Sequence, residues 1–210
     1  MEAIFSSAYL APVQYYAKLL VCDKAYIEAH DSYVKQTYRN RCIIADANGS
    51  LALTIPTEKT VAGNCPIRDI RISDHGNWRH RHWNALEAAY RHTPFFLYYE
   101  DDFRPFYEKK VKFLYDFNLQ LTELVCSFIS IDTTLLPTEQ YAHPTEACTD
   151  FRDIISPKRQ WKDDSKFSPK EYYQVFKERH GFIPNLSIVD LLFNMGPESI
   201  VTLYESSSRQ

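Results

Sequence analysis

The sequence predicts an α/β protein with an N-terminal strand-helix-strand unit and a hairpin, a largely helical second half, and a layered sheet flanked by helices. Three observations predict this class. Two short strand-like segments on either side of a helical pattern open the chain. Two apolar runs then enclose the dipeptide Asn48-Gly49, which is typical of a tight turn between strands. Beyond residue 78, broad apolar stripes recur at helical spacing.

The first unit combines two strands and one helix. Residues 3–8 are short and apolar, and residues 25–30 alternate between two sets of side chains, which is a strand pattern. Between them, apolar residues at 13–20 recur at helical spacing, and Pro12 is acceptable in a first turn. The order strand, helix, strand is that of a parallel crossover unit.

A hairpin follows this unit. Residues 42–45 and 51–55 are apolar runs around a turn that contains Asn48-Gly49, and this dipeptide supplies the positive φ values that such a turn requires. Pro56 ends the second strand. Residues 67–72, with the sequence IRDIRI, are a weaker strand candidate.

Two helices are predicted in the middle of the chain. Residues 78–92 place aromatic and aliphatic side chains on one face. Residues 103–130 carry the broadest apolar stripe and predict one long helix. We expect Asp102 to cap the N-terminus of this helix and Pro105 to lie in its first turn.

The C-terminal third begins with the least regular part of the sequence. Residues 132–166 are rich in Thr, Pro, Asp and Lys, and we expect them to run over the surface. Residues 168–171 have the pattern of a capping box and predict a helix that ends near His180, before Gly181. A last helix is predicted at 186–194, ending before Gly196.

Length and charge limit the function classes. The chain has 210 residues, 45 % of them hydrophobic, so residues 1–210 are expected to form a single domain with a substantial core. The net charge is −3, which gives no reason to expect a nucleic-acid partner. No segment approaches the ~18–20 apolar residues that a membrane span needs. Five widely spaced cysteines without a CxxC motif, and an N-terminus unlike a secretory signal, predict a cytoplasmic protein.

His82 is the first candidate for chemistry. His80 and His82 lie in a predicted helix, where residues two apart point about 200° from each other, so we expect no shared metal ion and no metal site. His82 lies near Trp78 and Trp83 and is a candidate general base or anion contact. The alternative is a hydrogen-bonded histidine at the boundary of the core.

The segment 35–41 is the second candidate. It contains three cations and two side-chain amides just before the hairpin, a combination suited to a phosphate or carboxylate ligand. The alternative is a solvated loop whose charges pair with Glu28, Asp31 and Asp46. With only five glycines and no phosphate-binding motif in the sequence, a phosphate would have to be held by side chains or by a helix N-terminus such as the one near Pro12.

The predicted topology brings these segments together. Ligands of doubly wound sheets bind at the carboxyl ends of the strands, and the loop at 6–9 follows the first strand there. If the segment 35–41 follows the second strand of the unit, it reaches the same edge. The sequence therefore predicts one pocket, lined by Tyr9, Tyr15 or Tyr16, Lys35, Asn40 and Arg41.

An ordered set of short segments resembles the bacterial WbqC-like proteins. The set comprises residues 9–16 (YLAPVQYY), Asn40-Arg41, the Asn48-Gly49 turn with 53–56 (LTIP), His82, Ala89-Tyr90, Phe95-Phe96, and 186–194 (LSIVDLLFN) with Gly196. The family pattern at the start is close to Tyr-Leu-Pro-Trp, one residue, then Gly-Tyr-Phe. This chain lacks the Trp, has Gln14 in place of the Gly, and has Ala11 before Pro12.

The resemblance implies a role in surface polysaccharide biosynthesis. WbqC-like proteins are associated with O-antigen and other surface polysaccharide loci, and they have been suggested to modify an amino sugar, for example by transfer of glycine. The positions carried over from the family are Tyr9, Tyr16, Asn40, Arg41, His82 and Asp190. For Asp190 the stronger interpretation is a local capping or tertiary hydrogen bond.

The leading hypothesis is a transferase that modifies a nucleotide-linked amino sugar, by acyl or aminoacyl transfer. His82 is its general base, and its substrate-binding residues are Tyr9, Tyr16, Lys35, Asn40 and Arg41. In this hypothesis Lys35 and Arg41 hold phosphate or carboxylate, Asn40 orients the substrate, and the two tyrosines form a stacking wall.

The alternative hypothesis is a non-catalytic binding or scaffold protein of a polysaccharide assembly complex, consistent with the missing family residues. The expected partner under the leading hypothesis is a nucleotide sugar, and the sequence leaves open whether the chain forms homo-oligomers. The sequence identifies no cofactor and leaves open whether ATP is consumed.

Overall fold

The N-terminal crossover unit predicted from the sequence is present. In the computed structural model, which describes residues 1–59 and 65–207, the unit consists of strand β1 (Glu2–Ser6), helix α1 (Val13–Leu19) and strand β2 (Lys24–Glu28). The strands pair in parallel from Glu2 opposite Lys24 to Ser6 opposite Glu28. Three successive residues of β1 are buried, as expected for a strand covered on both faces of a parallel sheet.

The predicted hairpin is also present. Strands β3 (Arg41–Asp46) and β4 (Gly49–Thr54) pair antiparallel, and Gly49 has a φ of +116°. The weaker strand at 67–72 was wrong, because residues 67–69 form a 3₁₀ turn and only isolated bridges follow at 71 and 72. Ile67 and Ile70 are both buried, and their spacing of three residues suits this turn.

The middle of the chain folds into three helices instead of two. These are α2 (Trp78–Tyr90), α3 (Phe96–Glu108) and α4 (Leu114–Phe128). The single helix predicted at 103–130 is therefore interrupted, and Asp102 and Pro105 lie inside α3. Backbone pairing explains the interruption: Ile72 N–H donates to the Lys112 carbonyl, and Leu114 N–H donates to the Ile70 carbonyl.

The region predicted to be irregular supplies both edges of the sheet. Strands β5 (Thr134–Pro137) and β6 (Cys148–Asp150) complete a parallel sheet with the order β5-β2-β1-β6. Strand β5 has only the four residues TLLP and β6 only the three residues CTD, so neither is long enough to show the alternating pattern that predicts a strand. The sheet grows outward from β1 to β2 to β5, and then the chain returns to the other side of β1 to form β6.

The C-terminal segment differs from the prediction. The capping box at 168–171 was wrong, because Ser168 and Lys170 donate their backbone N–H groups to Ser206, and helix α5 (Lys177–His180) has only four residues. Helix α6 (Ile188–Met195) matches the predicted last helix, and helix α7 (Ser199–Ser206), which was not predicted, follows it.

Helix α6 is central to the packing. All residues from 188 to 194 are buried, and the helix contacts α1, α2, α3, α7 and β3. The core thus links the parallel sheet, the hairpin and the helices. Within the described ranges, no helix is long and apolar enough to cross a membrane.

Candidate functional site

A cavity of about 320 Å³ lies at the carboxyl ends of the parallel strands. It is lined by residues of the segments that follow β1, β2 and β6 (6–8, 31–39 and 151–159) and by Tyr15 of α1. We call it the edge cavity. The chain leaves β1 to form β2 on one side of it and later returns to form β6 on the other side, so the strand order reverses at β1. Ligands of open α/β sheets bind at such a reversal.

The lining of the edge cavity has more positive than negative charges. Four cationic side chains, Arg39, Arg152, Lys158 and Arg159, face two carboxylates, Asp31 and Asp153. Arg39 forms an ion pair with Asp31. Lys158 and Arg159 form no ion pair with any residue in 1–59 or 65–207. These two cations are therefore available to an anionic ligand.

Arg152 is held rigidly by two carboxylates. Its Nη1 donates to Glu28 at 3.0 Å, while its Nε and Nη2 donate to Asp150 at 3.0 Å and 2.7 Å. Burial by itself raises the pKa of the Asp150 carboxyl. The hydrogen bonds from Arg152 lower this pKa by more, so the net shift is downward. The same hydrogen bonds raise the pKa of Arg152. Both groups are consequently charged, and the guanidinium keeps N–H groups for a ligand.

Glu28 connects this cation to the sheet. It is the last residue of β2 and is only 1 % exposed. Besides Arg152, its carboxylate accepts hydrogen bonds from the backbone N–H groups of His30 and Ala142 and from the Thr138 hydroxyl. A buried carboxylate with this many donors is fully compensated, so it can orient Arg152.

Hydroxyl and aromatic groups complete the lining. The Ser6 Oγ atom is buried and has no hydrogen-bond partner in the described chain. Tyr15 donates its hydroxyl to the Ser6 carbonyl at 3.2 Å, which positions its ring against the end of β1. Tyr38 is half-buried at the opposite boundary. Together these groups provide hydrogen bonds and ring faces beside the cations.

The candidate base His82 lies elsewhere, in a buried hydrogen-bond chain. Its Nδ1 is 3.0 Å from the Tyr9 hydroxyl, which is 2.9 Å from the Tyr107 hydroxyl. His82 is 5 % exposed, and burial lowers its pKa to about 4. Neither His82 nor Tyr9 lines the edge cavity. The imidazole is therefore neutral at pH 7 and bonded inside the protein.

The other predicted binding residues are also absent from the lining of the edge cavity. Tyr16 is buried and packs edge-on against Tyr15. Asn40 is buried and donates to the Ile55 carbonyl, Arg41 donates to the Thr54 hydroxyl at 3.1 Å, and Lys35 is exposed. The segment 35–41 does reach the predicted edge of the sheet, but it contributes residues 37–39 to the lining.

Sequence reasoning missed the cations contributed by the region after β6. Arg152, Lys158 and Arg159 all belong to the part of the chain that was predicted to be irregular. The sequence does show closely spaced charged residues at 150–153 and 158–159. Without knowledge of β6, such a pattern is interpreted as a solvated loop.

Asp190 stabilises the core. Its carboxylate accepts hydrogen bonds from the hydroxyls of Tyr90 and Tyr172 and from the Gln174 amide, at 2.7 to 2.9 Å. Burial raises its pKa to about 6 although these donors oppose the shift. The tertiary hydrogen-bond interpretation of Asp190 is the arrangement observed.

Backbone amides of α1 contribute no phosphate site. The Val13 N–H donates to the Leu186 carbonyl, and the Gln14 N–H donates to the Asn185 side chain. The N-terminus of α1 therefore has neither of these N–H groups free for a phosphate at this edge. Within the residues that the structure describes, no group of three or more His, Cys, Asp and Glu side chains could hold a metal ion.

The fold and the site define an α/β protein with an open parallel sheet and a cavity at its reversal point, whose lining includes two cations, Lys158 and Arg159, without an ion pair in the described ranges. The chain belongs to the WbqC-like protein family, whose family model matches residues 7–163 and 160–202. It is 28 % identical over 219 residues to Rv1507c, an uncharacterized protein of Mycobacterium tuberculosis, and the alignment covers 94 % of each chain. No solved structure matches the chain.

Proposed function

We propose that the protein is a transferase that binds a nucleotide-linked amino sugar in the edge cavity and modifies its amino group by acyl or aminoacyl transfer, in surface polysaccharide biosynthesis. The observation that supports this best is the cluster of the unpaired Lys158 and Arg159 beside the fixed guanidinium of Arg152. The volume of about 320 Å³ is within the usual range for small-molecule sites. The amino-sugar substrate is the one that the family resemblance implies.

Each group of the lining has a role in this proposal. The cations bind the phosphates, with Arg152 as the rigid member. The hydroxyl of Ser156, a half-buried residue of the lining, binds a sugar hydroxyl. Asp153, the lining carboxylate that has no ion pair in the described ranges, accepts the proton that the attacking amine loses. The donor carbonyl then forms the new bond to nitrogen as its leaving group departs.

The test is a thermal-shift titration with UDP-linked and dTDP-linked amino sugars. A ligand at 100 times its Kd stabilises by about 2.7 kcal/mol, which is about 5–10 °C for a domain of this size. We expect Lys158→Ala to abolish the shift. The matched control is Lys109→Ala. It removes an exposed cation at the end of α3 that does not line the cavity.

The same titration also distinguishes the cations of the edge cavity from Lys35, the cation predicted from the sequence. An unchanged shift in Lys158→Ala, with loss in Lys35→Ala, would contradict the edge cavity and favour the cation chosen from the sequence. Turnover of the amino sugar, followed by mass spectrometry of the acylated product, then separates an enzyme from a binding protein.

The scaffold alternative has one supporting observation. Leu97 and Tyr98, adjacent on α3, are 63 % and 76 % exposed, the two highest values among the large hydrophobic side chains of the described residues. Such a pair fits a contact surface for a protein partner or a second copy. Light scattering after size exclusion tests the second copy: if the protein self-associates and Leu97→Asp makes it monomeric, the alternative is favoured.

A further inference from the structure

A second cavity of about 480 Å³ adjoins the edge cavity. The two share Tyr38 and Arg159 in their linings. The second one extends toward Trp161 and the segment 183–186, and we call it the tryptophan cavity. Because Arg159 borders both, a single elongated ligand can contact it while occupying both cavities.

We infer that the tryptophan cavity is the subsite for the nucleobase of a nucleotide, with Trp161 as the stacking partner and Arg159 as the contact to the diphosphate. This inference rests on the proposed function and adds the orientation of the substrate. In a nucleotide sugar the diphosphate lies between the base and the sugar. The shared position of Arg159 reproduces this order, with the sugar in the edge cavity and the base beside Trp161.

Trp161 is suited to stacking because its indole is partly exposed in the cavity lining. The other two tryptophans, Trp78 and Trp83, are buried. The Trp161 ring is supported by an edge-on contact with Phe167, whose centroid is 6.3 Å away. An aromatic ring that is braced on one side and open to a cavity offers stacking worth about 1–3 kcal/mol per base.

The remaining lining matches the chemistry of a base. Ile183 and Pro184 supply apolar surface, and Gln160 supplies an amide for the polar edge of the ring. Lys162 lies 5.6 Å from the Trp161 centroid. The contact between an exposed cation and a ring is weak, so a stacked base can replace it.

The test measures the binding of ring-containing and ring-free probes to the full chain. UDP, inorganic pyrophosphate and glucosamine 1-phosphate are titrated by calorimetry, and quenching of tryptophan fluorescence is followed in parallel. We expect Trp161→Ala to weaken UDP binding about 10-fold to 100-fold while leaving the other two probes unchanged. Trp161→Phe retains an aromatic ring and should restore most of the UDP affinity.

Arg159→Ala provides the second arm. Because Arg159 borders both cavities, this change should weaken UDP, pyrophosphate and glucosamine 1-phosphate alike, whereas Lys109→Ala should weaken none of them. If Trp161→Ala has a melting temperature well below that of the wild type, the comparison is made with Trp161→Phe and Trp161→Leu instead.

Several outcomes would overturn the inference. They are equal loss of UDP and glucosamine 1-phosphate in the Trp161 variants, UDP affinity that does not depend on Trp161, and no UDP binding at millimolar concentration. Quenching of Trp161 by an oligosaccharide but not by UDP would assign the cavity to a glycan. If UDP binding depends on Trp161 but no amino sugar binds or reacts, the nucleobase subsite holds and the proposed transferase activity fails.

Discussion

Arg152, in the loop after β6, owes its position to Glu28, which ends β2 and lies 124 positions away in the chain. The two side chains are 7 % and 0 % exposed, so neither charge is compensated by water. Buried pairs of this kind add little net stability, but removal of one partner leaves an uncompensated charge. The pair therefore sets the orientation of a cavity cation at the cost of a strong dependence on both partners.

The first prediction concerns this pair. We expect Glu28→Gln to lower the free energy of unfolding by about 3–5 kcal/mol, because the amide also loses acceptor capacity toward His30, Thr138 and Ala142. Urea unfolding measures it. The control is Glu2→Gln, which removes an exposed partner of Lys24 and should change the free energy of unfolding little, because water screens such a pair. Equal effects of the two substitutions would contradict the role of Glu28.

The second prediction concerns His82. Removing it leaves Tyr9 without one hydrogen-bond partner in the core, so we expect His82→Ala to lower the free energy of unfolding by about 1–3 kcal/mol. The sequence-based hypothesis of a general base expects instead a loss of turnover at a nearly unchanged melting temperature. Measuring turnover and melting temperature on the same preparation distinguishes the two.

The pH dependence gives an independent readout for His82. Its pKa in the folded protein, about 4, is below the ordinary value of 6.5, so the folded state favours the neutral ring. This contribution is present above pH 6.5 and is lost as the pH falls through about 4, and it amounts to about 3 kcal/mol. The stability difference between wild type and His82→Ala should therefore shrink from pH 7 to pH 4. A constant difference would contradict the burial of a neutral ring.

At the level of secondary-structure elements, two glycines lie at the boundaries of elements that the sequence predicts: Gly49 at the hairpin turn and Gly196 directly after α6. Gly49 in the hairpin turn has a φ of +116°, and a methyl group there would meet nothing within 4 Å. Gly196 after α6 has a φ of +56°, and a methyl group there would lie 2.5 Å from the ring of Phe95. The first position requires glycine for its backbone alone, and the second also requires it for packing.

The third prediction compares these positions. We expect Gly49→Ala to cost about 1–3 kcal/mol from backbone strain, and Gly196→Ala to cost more, because the Phe95 ring must also move. Thermal and urea unfolding measure both. Asn48→Ala, an exposed turn position without a positive φ, is the control and should change little. A smaller cost at Gly196 than at Gly49 would show that the Phe95 ring yields easily.

Elements that depend on local signals were predicted well. The hairpin follows from an Asn-Gly turn between apolar runs, and α1, α2 and α6 follow from helical spacing. The interruption between α3 and α4 has no such signal. It depends on backbone pairing of residues 112–114 with 70–72, which lie some 40 positions earlier in the chain.

For the whole molecule, the position of the site was predicted better than its side chains. The crossover unit and the rule for open sheets indicated the carboxyl edge, and the segment 35–41 reaches it. Within that segment, Arg39 lines the cavity, while Asn40 is buried against Ile55 and Arg41 bonds to Thr54. Neighbouring residues in an extended segment face different ways, so a shift of one position changes which side chains meet a ligand.

The family and the local elements are thus determined by short sequence patterns, whereas the complete sheet and the cavity lining are determined by contacts between distant residues. The family, the N-terminal crossover, the hairpin and helix α6 are visible in short patterns of neighbouring residues, because local spacing and turn chemistry are sufficient to specify them. Strands β5 and β6, the pairing of Glu28 with Arg152 and the cations at 158–159 of the cavity depend on contacts between distant parts of the chain. The two strands are only four and three residues long, and the charged side chains lie in polar runs. The conformation of these segments is determined by the strand or carboxylate that they meet in the folded protein, and that partner has no local signature.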